Sequence, residues 1–339
     1  MKRVTAAFFN DGVPFHDGDV VDYVFARGRR RQIGEITDLH PVVITSENFA
    51  AEASQLHDLR VIFSTWGMPR LTGDQLAELP RLEAFFYAAG SVKKLAGPFL
   101  DRDITVVSAW AANAVSVAEF CLGQILLSCK GYFRNTRDCS TPEGNHQKTA
   151  FHGHGAYGEK VAIIGAGQIG RQLIRLLKPF RLKILVVDPY LSEPEADDLG
   201  VTKVTMEQAF SDAYVVSNHL PNLPALQRVL DGNLFASMRR DATFINTGRG
   251  AQVNEAELIA VLKKRPDLMA LLDVTDPEPC LPDCEFYRLP NVRISSHLAG
   301  AHDDEVVRMA DTVIEEFTRW QNGDPLRYEI TRHMLNRMA

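Results

Sequence analysis

The sequence predicts an α/β protein of two domains, and two features of the 339-residue chain carry that prediction. From Lys160 onward, short apolar runs alternate with helix-like segments, a pattern typical of a parallel sheet covered by helices on both faces. Residues 1–108 contain a separate set of apolar runs, which predicts a second, smaller α/β domain with its own core. The length agrees, because a chain of this size normally divides into two domains.

Six apolar runs predict the strands of the larger domain: Val161–Gly165, Lys183–Asp188, Ala213–His219, Ala242–Thr247, Leu268–Val274 and Val292–Ser296. The helices predicted between them include Ile169–Lys178, Met206–Phe210, Asp231–Ser237 and Asn254–Lys264. This alternation of strands and helices matches a doubly wound fold in the number of its units.

The smaller domain is predicted from four runs, which are Pro41–Thr45, Arg60–Ser64, Ala84–Ala88 and Thr105–Ser108. Two longer helical patterns, over residues 114–132 and 303–321, flank the larger domain and are interpreted as its connections. The C-terminal tail is therefore expected to return to the first domain. The resulting division is 1–110 together with 307–339 for the smaller domain and 111–306 for the larger, with 136–158 as a loop.

Composition excludes several classes of protein. A formal net charge of -6 argues against a nucleic-acid binder, which would need a basic face. We see no stretch approaching the roughly 20 apolar residues of a membrane helix, and no apolar leader at the N-terminus. The five cysteines follow no zinc-binding spacing, so we expect reduced thiols, no metal site and a cytoplasmic location.

A glycine motif, "VAIIGAGQIGRQL", follows the first predicted strand of the larger domain. Gly165 permits a tight turn, Gly167 lets the backbone approach a pyrophosphate, and Gly170 lets the helix pack close to the strand. The next strand ends at Asp188, where a carboxylate accepts hydrogen bonds from ribose hydroxyls and repels a 2′-phosphate. The motif predicts a dinucleotide site that prefers NAD to NADP.

Polar residues follow the later strands, where ligands of open parallel sheets bind. The third strand ends at Asn218-His219-Leu220-Pro221 and the fourth at Asn246-Thr247-Gly248-Arg249-Gly250. The fifth is followed by Asp273 and Glu278, and the sixth by His297. Singly, each has an ordinary structural explanation; together they place an arginine, a carboxylate and a histidine at one edge of the sheet.

These three residue types suit the oxidation of a hydroxy acid. A histidine can take up or donate the hydroxyl proton near neutral pH, and a carboxylate on its other ring nitrogen would fix the tautomer. An arginine can hold a substrate carboxylate and polarise the adjacent carbonyl. The combination predicts hydride transfer between nicotinamide and a 2-hydroxy or 2-keto acid.

The chain resembles the D-isomer-specific 2-hydroxyacid dehydrogenases, the family of phosphoglycerate, glycerate and D-lactate dehydrogenases. The resemblance covers nearly all of residues 84–322 and rests on motifs in the family's order. They are "NAVSVAEF", "GEKVAIIGAGQIG", "RLLKPFRLKILVVDPY", "SNHLPNLP", "FINTGRG", "LLDVTDPEP" and "SSHLAG". It implies a Rossmann NAD domain, a smaller flavodoxin-like α/β substrate domain split between the two chain ends, and a homodimer packed through the helix after "NAVSVAEF".

The resemblance also implies roles for individual residues. Arg249 would bind the substrate carboxylate, Glu278 would partner the histidine, and His297 would be the acid and base. The cofactor would be held by the three motif glycines and by Gln168, Ile169, Asp188, His219, Leu220, Pro221, Thr247, Gly248, Arg249, Asp273 and His297.

The substrate loop departs from the family pattern. It reads "YAAGSVKKL", with Val92 where the family often has an acid. We expect backbone N–H groups around Gly90, Ser91 and Val92 to bind a carboxylate. Trp66, in "STWGMP", either closes the substrate pocket or packs in the core.

Two alternatives to the dehydrogenase remain. One is a non-catalytic NAD(H)-sensing protein on the same scaffold, because the three residues also occur in corepressors of this kind. The other resembles formate dehydrogenase, which has glutamine where Glu278 stands; Glu278 argues against it.

Overall fold

The computed structural model describes residues 3–14, 16–145 and 151–335, which form two compact units. Of these residues, unit 1 contains those up to Ala114 and those from Ala301, and unit 2 contains those from Val115 to Gly300. The predicted boundaries lay four and six residues away, at 110/111 and 306/307. The first transition falls inside a helix, where neither a change of composition nor a loop marks it.

Twelve strands are present in the described part of the chain. Those of unit 1 are β1 (Val4–Phe8), β2 (Thr37–Leu39), β3 (Val61–Ser64), β4 (Ala84–Tyr87) and β5 (Thr105–Ser108). Those of unit 2 are β6 (Tyr157–Ile164), β7 (Arg181–Val187), β8 (Thr202–Lys203), β9 (Val215–Asn218), β10 (Thr243–Asn246), β11 (Met269–Leu272) and β12 (Val292–Ile294).

The helices in chain order are α1 (Val20–Val24), α2 (Arg29–Ile36), α3 (Phe49–Glu52), α4 (Gly73–Ala77), α5 (Ala96–Leu100), α6 (Trp110–Lys130) and α7 (Tyr132–Asp138). They continue with α8 (Gln168–Leu177), α9 (Glu193–Leu199), α10 (Met206–Asp212), α11 (Gly232–Ser237), α12 (Glu255–Lys264), α13 (Val307–Asn322) and α14 (Arg332–Leu335).

Unit 1 is a five-stranded parallel sheet in the order β2-β1-β3-β4-β5, the flavodoxin-like arrangement. Phe8, Phe63 and Phe86 from three neighbouring strands point to one face and meet Phe317 of α13. The last long helix therefore completes the core of this unit, because its apolar stripe covers one face of the sheet.

Unit 2 is a seven-stranded parallel sheet in the order β12-β11-β10-β9-β6-β7-β8. From β6 the chain winds out to β7 and β8, then returns to β9 on the other side of β6. This reversal makes the β6–β9 junction the switch point at which a doubly wound sheet binds its ligand. The predicted α/β class, with a doubly wound parallel sheet and a second flavodoxin-like sheet, is confirmed.

One predicted strand was wrong and two strands were not predicted. Pro41–Thr45 is not a strand, since only Ile44 pairs, in a single bridge with Phe9; the edge strand is Thr37–Leu39. The first strand, Val4–Phe8, was not predicted although it lies inside its sheet. The two-residue β8 was also missed, because two polar residues at a sheet edge leave no apolar run to detect.

The helix α6, which contains "NAVSVAEF" and extends beyond it, corrects another expectation. By length and composition alone, α6 is apolar enough to cross a membrane, although we expected no such stretch. Half of its apolar window is buried, and Val117, Ala118 and Cys121 lie in the core of unit 2. A buried core helix passes the same test, so the length and composition of α6 do not by themselves indicate a membrane span.

The predicted 136–158 loop begins inside α7, ends inside β6 and lies partly outside the described residues.

Candidate active site

The turn between β6 and α8 has room only for glycine at two positions. Gly165 has φ +94, and a Cβ there would come within 2.9 Å of the His219 carbonyl oxygen. A Cβ on Gly170 would collide with the carbonyl oxygen of Gly165. The helix therefore starts directly against the turn, as the motif predicts.

The N-terminus of α8 is free of side-chain caps. Gly167 is the N-cap residue of α8 and has no side chain with which to cap the helix. A Cβ added to it would meet no described atom within 4 Å. The following Gln168 and Ile169 are half-buried. Unpaired N–H groups and the positive end of a ten-residue helix favour an anion here, so these residues fit a dinucleotide pyrophosphate.

Asp188 lies one residue beyond the end of β7 and contacts the glycine turn. Its Oδ2 accepts a hydrogen bond from the Ala166 N–H at 2.7 Å, and its Oδ1 accepts one from Tyr190 N–H at 2.8 Å. The carboxylate thus braces the turn. Its spare lone pairs leave it able to accept from a ribose hydroxyl.

His219, next to β9, is buried. Its Nε2 lies 2.9 Å from Ser217 Oγ and its Nδ1 3.4 Å from Thr247 Oγ1. Burial lowers the pKa of His219 to about 4, so the ring is neutral at physiological pH. A neutral ring held by two hydroxyls suits a cofactor wall and not a proton-transfer group. Thr247 and Gly248 are buried beside it, whereas Leu220 and Pro221 are half-buried.

His297 follows β12 in a left-handed conformation with φ +61. Its N–H donates to the Asp273 carbonyl at 2.9 Å. Its Nδ1 lies 2.5 Å from Glu278 Oε1. Among the residues that the structure describes, Nε2 has no hydrogen-bond partner, so it is available to a ligand.

The Asp273 carboxylate holds the turn that carries His297. Oδ1 accepts from the Ser295 hydroxyl at 2.6 Å and from Leu298 N–H at 2.9 Å, and Oδ2 accepts from Ala299 N–H at 3.0 Å. With a side chain that is almost fully buried, Asp273 is a brace for the histidine turn in addition to its predicted cofactor role.

Arg249, after β10, lies within the electrostatic reach of Glu278. Burial lowers the pKa of Arg249, and the Glu278 charge partly opposes that effect. Its Nη1 donates to the Gly248 carbonyl at 2.6 Å. Within the described chain, Nε and Nη2 have no acceptor, which leaves one edge of the guanidinium for a carboxylate. Unit 2 therefore brings the predicted arginine, glutamate and histidine together.

The predicted substrate-loop residues belong to unit 1 and follow β4. The Val92 side chain is fully buried in the core, so only its backbone can meet a ligand. In the described ranges, the N–H groups of Gly90 and Val92 bond to no acceptor, which fits an anion-binding loop. The Trp66 side chain packs against both apolar clusters of unit 1, as its packing alternative predicts.

Sequence reasoning missed a group of buried carboxamides behind the Arg249 loop, namely Asn218, Asn246 and Gln252. The first two were quoted only as strand ends. A signal was present, because each ends an apolar strand and the two strands are neighbours in the sheet. Over the described residues, no group of three His, Cys, Asp or Glu side chains could hold a metal ion.

Comparisons with known proteins agree with this geometry. Residues 122–299, just over half of the chain, match the family described as D-isomer specific 2-hydroxyacid dehydrogenase, NAD binding domain. A D-3-phosphoglycerate dehydrogenase of Methanocaldococcus jannaschii is 30% identical over 70% of this chain and 44% of its own length. A putative 2-hydroxyacid dehydrogenase, YoaD, of Bacillus subtilis is 33% identical over 59% of each protein. The chain thus matches less than half the length of the phosphoglycerate dehydrogenase.

Solved structures share the fold over nearly the whole chain. The apo D-mandelate dehydrogenase of Rhodotorula graminis superposes with a TM-score of 0.80 at 19% identity, covering 97% of this chain and 98% of that one. A phosphoglycerate oxidoreductase from Rhizobium etli gives 0.77 at 24% identity, covering 98% and 100%. The family match over residues 122–299 shows that the chain belongs to the D-isomer-specific 2-hydroxyacid dehydrogenases.

Proposed function

We propose that the protein is an NAD-dependent oxidoreductase that interconverts a D-2-hydroxy acid and its 2-keto acid. One observation carries the proposal: Glu278 holds Nδ1 of His297, and no residue in the described part of the chain bonds Nε2. A histidine fixed in this way can give a proton from one nitrogen while the carboxylate stabilises the charged ring.

In the direction of reduction, a nicotinamide held at the glycine turn would supply the hydride that C2 of the keto acid needs. His297 donates the Nε2 proton to the carbonyl oxygen, so that the C=O bond becomes C–O–H and no charged oxygen is left. Arg249 binds the substrate carboxylate through its free guanidinium edge and orients the carbonyl for both transfers. Oxidation runs through the same positions in reverse.

The cofactor proposal rests on the glycine turn and on Asp188. The first turn of α8 would hold the pyrophosphate, and Asp188 would bind the ribose hydroxyls and repel a 2′-phosphate. NADH is therefore expected to support faster reduction than NADPH. Titrating both cofactors by fluorescence and measuring turnover with each tests the preference, and equal use of NADPH would contradict it.

The reaction is tested by following NADH oxidation with a panel of glyoxylate, hydroxypyruvate, pyruvate and longer 2-keto acids. Turnover of at least one of them is expected. Tight NADH binding without turnover of any panel member would instead favour the NAD(H)-sensing alternative.

The roles of the two central residues are tested by His297→Ala and Arg249→Ala. Both variants should lose roughly 100-fold or more in turnover, because proton transfer and electrostatic positioning each contribute factors of this size. NADH binding should be retained in a fluorescence titration. Turnover near the wild-type rate in either variant would refute the role assigned to that residue.

We further propose a homodimer in the cytoplasm. Leu127 of α6 and Tyr132 at the start of α7 expose 40% and 48% of their surface, which supports an apolar contact there. A monomer mass by light scattering at micromolar concentration would contradict the dimer.

The cytoplasmic location is supported by the cysteines, all five of which are free, as in a reducing compartment.

A further inference from the structure

A buried cluster of three carboxamides lies behind the Arg249 loop. The side chains of Asn218, Asn246 and Gln252 are at most 1% exposed. Asn218 and Asn246 are paired residues at the ends of β9 and β10, and Asn218 Nδ2 donates to Asn246 Oδ1 at 3.0 Å. The same Nδ2 lies 2.6 Å from Gln252 Oε1. We call this group the carboxamide cluster.

Gln252 uses every hydrogen-bonding position of its side chain. Its Oε1 also accepts from the Arg249 N–H at 3.1 Å. Its Nε2 donates to the carbonyls of Leu220 at 2.7 Å and Pro221 at 2.9 Å. One side chain therefore bonds both the loop that carries the substrate arginine and the loop assigned to the cofactor.

The cluster adds side-chain hydrogen bonds to the single backbone hydrogen bond, from Gln252 N–H to the Arg249 carbonyl at 3.3 Å, that holds Arg249. Asn246 Nδ2 donates to the Arg249 carbonyl at 3.3 Å, and Asn246 Oδ1 accepts from Gly248 N–H at 3.1 Å. Arg249 thus donates its N–H to the Gln252 side chain, and its carbonyl accepts from the Asn246 side chain and from the Gln252 N–H. A guanidinium that must meet a substrate within a fraction of an ångström depends on such backbone support.

Gly248 leaves the space that the cluster needs. A Cβ at this position would come within 2.6 Å of Gln252 Oε1 and 2.9 Å of Asn218 Nδ2. Burial of three amides is unfavourable unless each is fully bonded, and a partly bonded cluster would be worse than an apolar one. Gly248 and the hydrogen bonds of the three side-chain amides indicate that the carboxamide cluster is an organised part of the fold.

We propose that Gln252 is a positioning residue that sets the geometry of Arg249 and of the Leu220–Pro221 loop together. The proposal rests on the proposed function, since it assigns those two loops to substrate and cofactor. Loss of the Gln252 side chain should therefore weaken substrate and cofactor binding at the same time, although Gln252 itself touches neither.

The test compares Gln252→Met with Asn291→Leu. Met keeps the approximate volume of glutamine and removes all four hydrogen bonds. Asn291 is a matched control in the same unit, buried to the same degree and donating to two helix-end carbonyls, those of Leu262 and Arg265. Both variants should lose thermal stability, so each is assayed well below its melting temperature.

Gln252→Met should raise KM for the best 2-keto acid and Kd for NADH by about tenfold each, the effect of one misplaced hydrogen bond. Asn291→Leu should leave both constants within about twofold. Lowered stability with unchanged KM and Kd in Gln252→Met would overturn the proposal, as would equal changes in the control.

Gln252→Glu covers the case in which the Met variant does not fold. It keeps the oxygen that faces Arg249 and Asn218 but replaces the donor to Leu220 and Pro221, so Kd for NADH should rise; an unchanged Kd would overturn the proposal. A wild-type protein that binds NADH without turnover would refute the proposed function, yet the NADH titrations of both variants would still decide the role of Gln252.

Discussion

His297 has a backbone conformation that few residues other than glycine adopt, with φ +61. Such a conformation persists only where the surroundings fix it. Here the carbonyl of Asp273 binds the His297 N–H, and the Asp273 carboxylate binds the residues on both sides. Glu278 then fixes the ring. Backbone and side chain are thus held separately, which keeps Nε2 in place for the proposed proton transfer.

The sequence predicted the residues of this site better than their contacts. A histidine after a strand and a glutamate in a proline-rich loop are visible in the chain, and the structure brings them within 2.5 Å. The bracing role of Asp273 was not visible. Its partners, Leu298 and Ala299, contribute backbone N–H groups, and these carry no signal in a sequence.

The Glu278 carboxylate is expected to tune proton transfer. Glu278→Gln keeps the shape of the side chain and removes the negative charge beside the imidazolium, which disfavours the charged ring. The pH dependence of 2-keto acid reduction should therefore move to lower pH. Steady-state rates from pH 5 to 9 measure the shift. Glu257→Gln, an exposed carboxylate elsewhere in unit 2, is the control, and an unchanged profile in Glu278→Gln would mean that Glu278 does not act on the histidine.

At the scale of the element, apolar periodicity predicted the inner strands of unit 2 well and the edges poorly. β9, β10 and β11 are buried on both faces and appear as continuous apolar runs. An edge strand such as β8 needs few apolar residues, because only one side pairs. In unit 1, Val42 and Val43 suggested a strand, but their run lies beyond β2 and pairs only through Ile44.

In the strand–turn–helix unit at the glycine motif, substitution of two different glycines should separate an effect on stability from an effect on cofactor binding. In Gly170→Ala the new Cβ meets the Gly165 carbonyl, so the free energy of unfolding should fall by about 1–3 kcal/mol. In Gly167→Ala the Cβ meets no described atom within 4 Å, so the free energy of unfolding should fall by no more than about 1 kcal/mol, the cost of alanine in place of glycine as the capping residue. The same Cβ would occupy space in front of α8, and Kd for NADH should rise at least about tenfold.

Urea denaturation and NADH fluorescence titration measure the two effects in both variants. Each variant serves as the control for the other. A Gly167→Ala protein that binds NADH as tightly as the wild type would show that the pyrophosphate does not approach this turn.

For the whole molecule, buried ionisable groups link stability to pH. Unit 2 contains two such groups, His219 and Glu255, that act in opposite directions. Burial lowers the pKa of His219 and raises the pKa of Glu255 to about 7. In both cases burial disfavours the charged form, so His219 weakens the protein in acid and Glu255 weakens it in base.

His219 should make the folded state sensitive to acid. The unfolded chain takes up a proton near pH 6.5, whereas the folded chain resists protonation until about pH 4, so stability is complete above pH 6.5 and falls as the pH approaches 4. By this linkage, about 2 kcal/mol should be lost between pH 7 and pH 5. His219→Asn cannot titrate and should lose correspondingly less over that interval in urea denaturation. Equal losses in the two proteins would show that the ring is charged or accessible in the folded state.

Glu255 should have the opposite effect above neutrality. Its carboxylate accepts a hydrogen bond from Asp276 N–H at 2.9 Å, but burial outweighs that bond and the nearby Asp276 carboxylate adds repulsion. The folded state therefore holds a proton that the unfolded chain releases near pH 4.5, and stability falls as the pH rises from 4.5 through 7.

Glu255→Gln keeps an acceptor for the Asp276 N–H and has no charge to bury. Its free energy of unfolding should exceed that of the wild type by roughly 1–2 kcal/mol at pH 8, after allowance for solvent screening of a half-buried group, and by much less at pH 5.

The control is Glu257→Gln, which removes a negative charge from the same first turn of α12. It should show no such gain, because a negative charge there stabilises the helix N-terminus. A Glu255→Gln protein that is no more stable than the wild type at pH 8 would mean that Glu255 is ionised in the folded state without a penalty.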